Sequence, residues 1–244
     1  MDVELDPKKT VAENAGQYYE RAKKAREKAA RLRALLEKGV SISDGRESGE
    51  TQKSKAKWFE RFRWFYSSRG FLVVAGKNAN QNEALYKRVM GDKDLFLHAE
   101  IVGAPFTVIK NGVNADDRTV QEAAQFAGSY SRAWKFGQAT VDVYAVRKEQ
   151  LTKRVSGEYI KKGGVMVLGE REWFRNTKLG LAIGLYNGRP ACFPELCAHL
   201  LAKPVRIVPG AREKEEIAKI VSEKTGISKD DVIALLPAGG SEIA

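Results

Sequence analysis

The sequence predicts an α+β protein: a mixed, largely antiparallel sheet domain with flanking helices. A coiled-coil-like helix precedes the domain and a small helical tail follows it. Three observations predict this. Small and apolar residues between about 8 and 38 recur with a period near 3.5 residues. Residues 57–202 hold short runs of β-branched and aromatic residues separated by Gly, Asn and Ser. Two amphipathic stretches lie after residue 203. The expected organisation is a helical arm at 1–40, a linker at 41–56, a sheet domain at 57–202 and a helical extension at 203–244.

In the arm, Val11, Ala15, Tyr18, Ala22, Ala25, Ala29, Leu32 and Leu36 alternate steps of four and three, a coiled-coil seam stopped at Gly39. The seam is rich in Ala and buries little area per turn, so the helix needs a partner. A second copy of the chain is one expected partner. The polar stretch 40–56 lacks apolar period and reads as a linker. Alternation from Trp58 to Tyr66 predicts a strand, Ser68-Arg69-Gly70 a turn, and Phe71–Ala75 the second strand of a hairpin. A helix from about Asn80 to Met90 follows, then strands at Leu95–Glu100, Thr107–Lys110 and Val141–Val146. Asp116 or Asp117 caps a helix running to about Phe136. Val165–Leu168 and Leu179–Tyr186 read as strands, and Asn187-Gly188 as a hairpin turn. Val205–Val208 reads as a last strand, and Glu213–Lys224 and Lys229–Leu235 as short helices.

Composition narrows the function. No run of about 18 apolar residues is present to span a membrane, and the first residues carry no secretory signal. Cys192 and Cys197 are too few for a disulfide framework or a zinc site, which suits a reducing, cytoplasmic setting. The formal net charge is +11. Residues 53–162 hold 20 Lys/Arg against 11 Asp/Glu, whereas residues 163–244 hold 11 against 10. Charge gathered in one segment points to a polyanion, because cations that neutralise phosphates release counterions.

The densest signal is KWFERFRWFYSSRGFLVVAGKNANQNEALYKRVM. On a strand, Arg61 and Arg63 share one face, and Trp64 and Tyr66 the other. Rings stack on bases and arginines hold phosphates, although the same rings also serve as core. The turn Gly76-Lys77-Asn78-Ala79-Asn80-Gln81-Asn82-Glu83 opens a helix after a strand, so its N–H groups and Lys77 can face an anion. The spacing is not that of a nucleotide P-loop. An Asn-rich helix cap accounts for the same residues. His98 and His199 are the only histidines, and no nucleophile–base arrangement accompanies them. A rival reading is a metal-dependent enzyme acting on RNA, which needs Asp92, Asp94, His98 and Glu100 to converge. A second rival is a protein-interaction module working through the helices.

Four motifs occur in order: W-F-x-R-F-R-W-F, S-S-x-G-x-L-V-V, G-K-N-A-x-Q-N-E and D-L-F-L-H-A-E, with G-A-P and V-I-K after them. Together they resemble the NFACT-R domain of the ribosome-associated quality control family that includes nuclear export mediator factor. Its bacterial relatives are called fibronectin-binding-protein-like. The opening L-D-P-K-K-T-V-A-E-N-A-x-x-Y-Y-E is similar to the start of that family's coiled-coil arm. The stretch from Val205-Arg206-Ile207-Val208-Pro209-Gly210 to Leu235-Leu236-Pro237-Ala238-Gly239-Gly240 is similar to the tail of its archaeal members. The resemblance implies an RNA-binding module without catalysis, metal or cofactor. The implied partners are stalled large ribosomal subunits, their rRNA and tRNA. The implied RNA-binding residues are Arg61, Arg63, Arg69, Lys77, Asn78, Gln81, Asn82 and His98. The sequence departs from the family in two ways: the family's N-terminal domains are not in it, and its arm is far shorter than the family's antiparallel pair. The chain therefore reads either as the C-terminal part of a longer protein, the expectation favoured here, or as a natural reduced form.

Overall fold

The computed structural model describes residues 57–155 and 158–244, and before them Thr10, Val11, Ala15, Tyr18, Tyr19, Ala22 and Arg26. Those early residues belong to a unit, Met1–Ser54, separate from Lys55–Ala244. Val11, Ala15, Tyr18 and Ala22 are helical and exposed, at the expected seam spacing. The rest of the arm and the 41–56 linker lie outside the described residues.

The larger unit is built on a six-stranded antiparallel sheet. Its strands are β1 (Arg63–Tyr66), β2 (Leu72–Ala75), β3 (Leu95–Ala99), β4 (Thr107–Ile109), β5 (Thr140–Arg147) and, past four two-residue strands, β10 (Glu172–Lys178), in the order β1-β2-β4-β3-β5-β10. The short strands form two ribbons, β6 (Leu151–Thr152) with β9 (Met166–Val167) and β7 (Arg154–Val155) with β8 (Glu158–Tyr159). β1 begins at Arg63 rather than near Trp58. Phe59 and Phe62 are both buried and three residues apart, which suits a tight turn better than a strand. The turn is closed by the Phe62 N–H donating to the Phe59 carbonyl at 2.9 Å.

Each face of this sheet has its own core. On one face, Val74, Phe96, Val108 and Val146 meet Phe59, Phe62 and Phe106, with Leu85 and Met90 of the helical segment that follows β2. That segment is α1 (Ala79–Ala84) continued by a π-helical turn, Leu85–Val89. The other face carries Phe65, Val73, Leu97 and Val143 against α2 (Asp117–Ser129). Asp116 caps α2 by accepting from the Thr119 N–H at 2.9 Å. The expected helix to Phe136 is two: Tyr130 ends α2, and Ser131 caps a new turn, α3 (Arg132–Lys135).

A second antiparallel sheet packs into the same core, in the order β12-β11-β13-β14. Its strands are β11 (Leu181–Tyr186), β12 (Arg189–Pro194), β13 (Ala202–Arg212) and β14 (Ser241–Ile243). Asn187 and Gly188 join β11 to β12 with φ of 49° and 75°, the left-handed pair of a tight hairpin turn. The two expected C-terminal helices are α4 (Lys214–Thr225) and α5 (Lys229–Leu235). Residues 203–244 thus supply strands as well as helices, and Ile207, Ile217, Val221 and Val232 are buried in the shared core.

Candidate nucleic-acid interface

The turn between β2 and α1 is held by its own amides. Asn78 caps the helix, its Oδ1 accepting from the Gln81 N–H at 3.0 Å. Gln81 accepts from the Lys77 N–H at 2.9 Å and donates to the Arg61 carbonyl at 3.0 Å. Asn82 Oδ1 accepts from the Phe106 N–H at 3.2 Å, pinning α1 to the residue that leads into β4. A Cβ on residue 76 would fall 2.0 Å from that oxygen, so only glycine fits there. The expectation that backbone N–H groups face an anion is narrowed here to those of Asn78, Ala79 and Asn80 at the helix start. Those of Lys77, Gln81 and Asn82 are already taken, by Gln81 Oε1, Asn78 Oδ1 and the Asn78 carbonyl. Beside the N–H groups of the helix start the turn presents the Lys77 ammonium.

Around Lys77 other cations gather. Arg63 donates to the Gly76 carbonyl at 3.1 Å, and its guanidinium lies 4.4 Å from the centre of the Tyr130 ring. Arg132, Lys135 and Lys162 complete a cleft of about 580 Å³ in which no lining residue is acidic. None of the five cations takes part in an ion pair among the described residues. Burial, then the charge of Arg63, holds the Lys77 ammonium below its ordinary pKa. The same two causes lower Lys214. Like charges kept close at a partial desolvation cost fit a site that receives an anion.

A carboxylate on the same helix is held in ion pairs of its own. Glu83 on α1 pairs with Lys153 at 2.6 Å and Lys87 at 2.9 Å, and accepts from the Gly163 N–H at 2.9 Å. The backbone bond and the Lys153 bond hold its carboxyl down to about 2. This cluster ties the Lys161–Gly164 loop to α1. Gly163 has φ +85° and its Cα side faces Ala79 so closely that a Cβ would sit 2.8 Å from the Ala79 Cα. Glu83 is therefore a scaffold for Lys162 rather than a repulsive neighbour.

The structure brings Arg63, Lys77, Asn78, Asn82 and His98 to the cleft. His98 is pushed down to about 4, chiefly by burial, so it is neutral at pH 7. Its ring packs against Phe96 and Tyr144. Arg61 and Gln81 stand outside the cleft lining; Arg61 is exposed, with its guanidinium 4.8 Å from the Phe62 ring centre. Arg63 lies on β1 and Arg61 in the preceding turn, so they do not share a strand face. Arg69 lies at the far end of the hairpin, paired with the α2 cap Asp116 at 3.1 Å. Trp64 packs among Phe59, Tyr66, Tyr186 and Phe193.

Sequence reasoning missed Tyr130, Arg132, Lys135 and Lys162. Arg132 and Lys135 arrive because the chain breaks at Ser131, and Lys162 because Glu83 anchors the glycine pair after it. The K-K-G-G step and the basic S-R-A-W-K turn were the available signals. The C-terminal segment closes this side: the Tyr130 hydroxyl donates to the Leu235 carbonyl at 2.8 Å, and Trp134 Nε1 to that of Gly240 at 3.0 Å.

The metal-site rival lacks its geometry. Asp92 pairs with Lys148 at 3.0 Å and Glu100 with Arg171 at 3.3 Å. Asp94 is buried, bonded to Lys110 and to the backbone N–H groups of Gly91 and Asn111. Among the described residues no three His, Cys, Asp or Glu side chains are placed to hold a metal together.

An α+β domain with a cation-lined cleft free of acidic walls is the form of a polyanion-binding module. Residues 61–169 match the family described as NFACT protein RNA binding domain, and the chain belongs to the NFACT family by this domain. Over 201 residues it is 40% identical to the Archaeal Rqc2 homolog aRqcH of Methanocaldococcus jannaschii, covering 78% of this chain and 30% of that protein. It is 31% identical over 241 residues to the Ribosome quality control complex subunit NEMF homolog of Drosophila melanogaster, 91% of this chain and 24% of that one. Among solved structures, the C-terminal of the fibronectin/fibrinogen-binding protein from Streptococcus suis aligns with a TM-score of 0.42 at 19% identity, over 69% of this chain and 77% of that one. The chain thus spans 30% and 24% of the length of these two curated relatives.

Proposed function

We propose that this chain is the RNA-binding part of a ribosome-associated quality control factor, holding tRNA or large-subunit rRNA by its phosphates without catalysis. The observation that carries the reading is the cleft where Arg63, Lys77, Arg132, Lys135 and Lys162 converge with no acidic lining residue. The description of the matched family as an RNA-binding domain and the ribosome quality control names of the relatives support it. The setting would be the cytoplasm, beside ribosomes. Among the described residues no helix is long and apolar enough to cross a membrane. The exposed seam positions Val11, Ala15 and Ala22 support a helical partner for the arm, from a second copy or from the rest of the protein.

The test is binding to tRNA and to purified large subunits, wild type beside Lys77→Ala/Arg132→Ala/Lys162→Ala. Loss of three phosphate contacts weakens binding on the order of tenfold or more. Equal affinity for both proteins would move the site elsewhere.

A further inference from the structure

A second, smaller cavity of about 220 Å³ opens beside the basic cleft and shares Arg63, Lys77 and Tyr130 with it. Its lining further includes Phe62 and the half-buried Trp64, with Pro190 and Leu235 from β12 and α5. At its edge Glu60 and Arg189 form an ion pair at 3.0 Å, with Glu60 half-buried. The space is several times the roughly 30 Å³ of a liquid water, enough for a flat heterocycle. Apolar rings with a few placed polar groups are what a small-molecule pocket needs.

We propose that this cavity receives an unstacked guanine base from the strand whose phosphates lie in the basic cleft. The proposal rests on the RNA-binding reading above and adds base identity to it. Two phosphate-holding cations, Arg63 and Lys77, stand at the junction, so the base beside a held phosphate is within reach of the cavity. Sequence-selective RNA recognition takes splayed bases against aromatic side chains and reads their Watson–Crick edges. A carboxylate is an acceptor only, and a guanidinium a donor only. Glu60 beside Arg189 therefore presents acceptors next to donors. Guanine offers the complement, the N1–H and N2 amino group beside the O6 acceptor. Adenine and cytosine place a ring acceptor where the carboxylate needs a donor, and uracil has a single donor. The segment also gives the C-terminal region a role, since β12 and α5 lie beyond the residues 61–169 that match the family.

The experiment is fluorescence anisotropy of the full chain with labelled octauridine and with octamers whose central residue is G, inosine, A or C. The G octamer is expected to bind about tenfold tighter than octauridine, the discrimination of one good bidentate base contact. Inosine, which keeps N1–H and O6 but lacks the N2 amino group, falls between. The A and C octamers show no gain. In Glu60→Gln, with its folding verified by circular dichroism, the ratio of G to U affinity falls toward one. Equal affinity of wild type for every octamer overturns the pocket and leaves the phosphate cleft standing, as does a G preference that Glu60→Gln retains. The wild-type series needs no variant, so a folding defect in Glu60→Gln cannot shield the proposal. If no octamer binds even at low salt, the RNA-binding reading fails, and this proposal with it.

Discussion

At the residue scale, the turn after β2 shows how chemistry is divided among neighbours. Four amides and a lysine in six positions looked like a ligand cradle. In the fold, Asn78, Gln81 and Asn82 cap and brace, and the lysine alone presents charge. That division was hidden in the sequence because an Asn-rich cap and an Asn-rich binding turn have the same letters. Only the partners, Phe106 and Arg61 from elsewhere in the chain, tell them apart. Glu83 is the case with a pH consequence. Its carboxyl is held near 2 against an ordinary value of 4.5, so its folded pKa is depressed. The stability it contributes is complete above about pH 4.5 and is lost as pH falls toward 2. Thermal melts between pH 2 and 6 should show wild type losing stability through that window, with Glu83→Gln starting lower and changing less. Parallel curves would remove Glu83 from the account.

At the element scale, periodicity carried the reading where one face of an element is buried and the other is not. The β1–β2 hairpin, α2 with its Asp116 cap, α5 and the Asn187-Gly188 turn were all legible. β10 was missed: its residues are mostly exposed or half-buried, and a bulge between Phe174 and Thr177 breaks its alternation. β12 was implied only through the Asn187-Gly188 hairpin turn; it carries Pro190, which an edge strand tolerates. The break at Tyr130–Ser131 carried only the weak signal of a serine cap, since neither residue is a helix breaker. Tertiary bonds set it, among them the Tyr130 hydroxyl to the Leu235 carbonyl. Tyr130→Phe keeps the ring beneath Arg63 and deletes that bond. It should cost about 1 kcal/mol and quicken amide exchange in residues 229–243. Unchanged exchange there would mean that the C-terminal wall is held without it.

At the scale of the whole molecule, the candidate site is a product of topology. Its cations come from β1, the β2–α1 turn, the α3 turn and the 161–164 loop, segments up to 99 positions apart in sequence between Arg63 and Lys162. The charge excess within 53–162 located the segment, but not the face. Several carboxylates of the same segment are drawn off into ion pairs, Glu83 with Lys153, Asp94 with Lys110 and Asp142 with Arg175, and the cleft keeps one sign. A field of one sign attracts a phosphate backbone at long range, and salt screens it. The most direct test is therefore the slope of log K against log salt concentration for tRNA binding, compared between wild type and Lys77→Ala/Arg132→Ala/Lys162→Ala. The account predicts a steep wild-type slope that becomes shallower in the variant by about 2 to 3, since each lost phosphate contact removes roughly 0.7 to 0.9. A slope identical in the two proteins would contradict it.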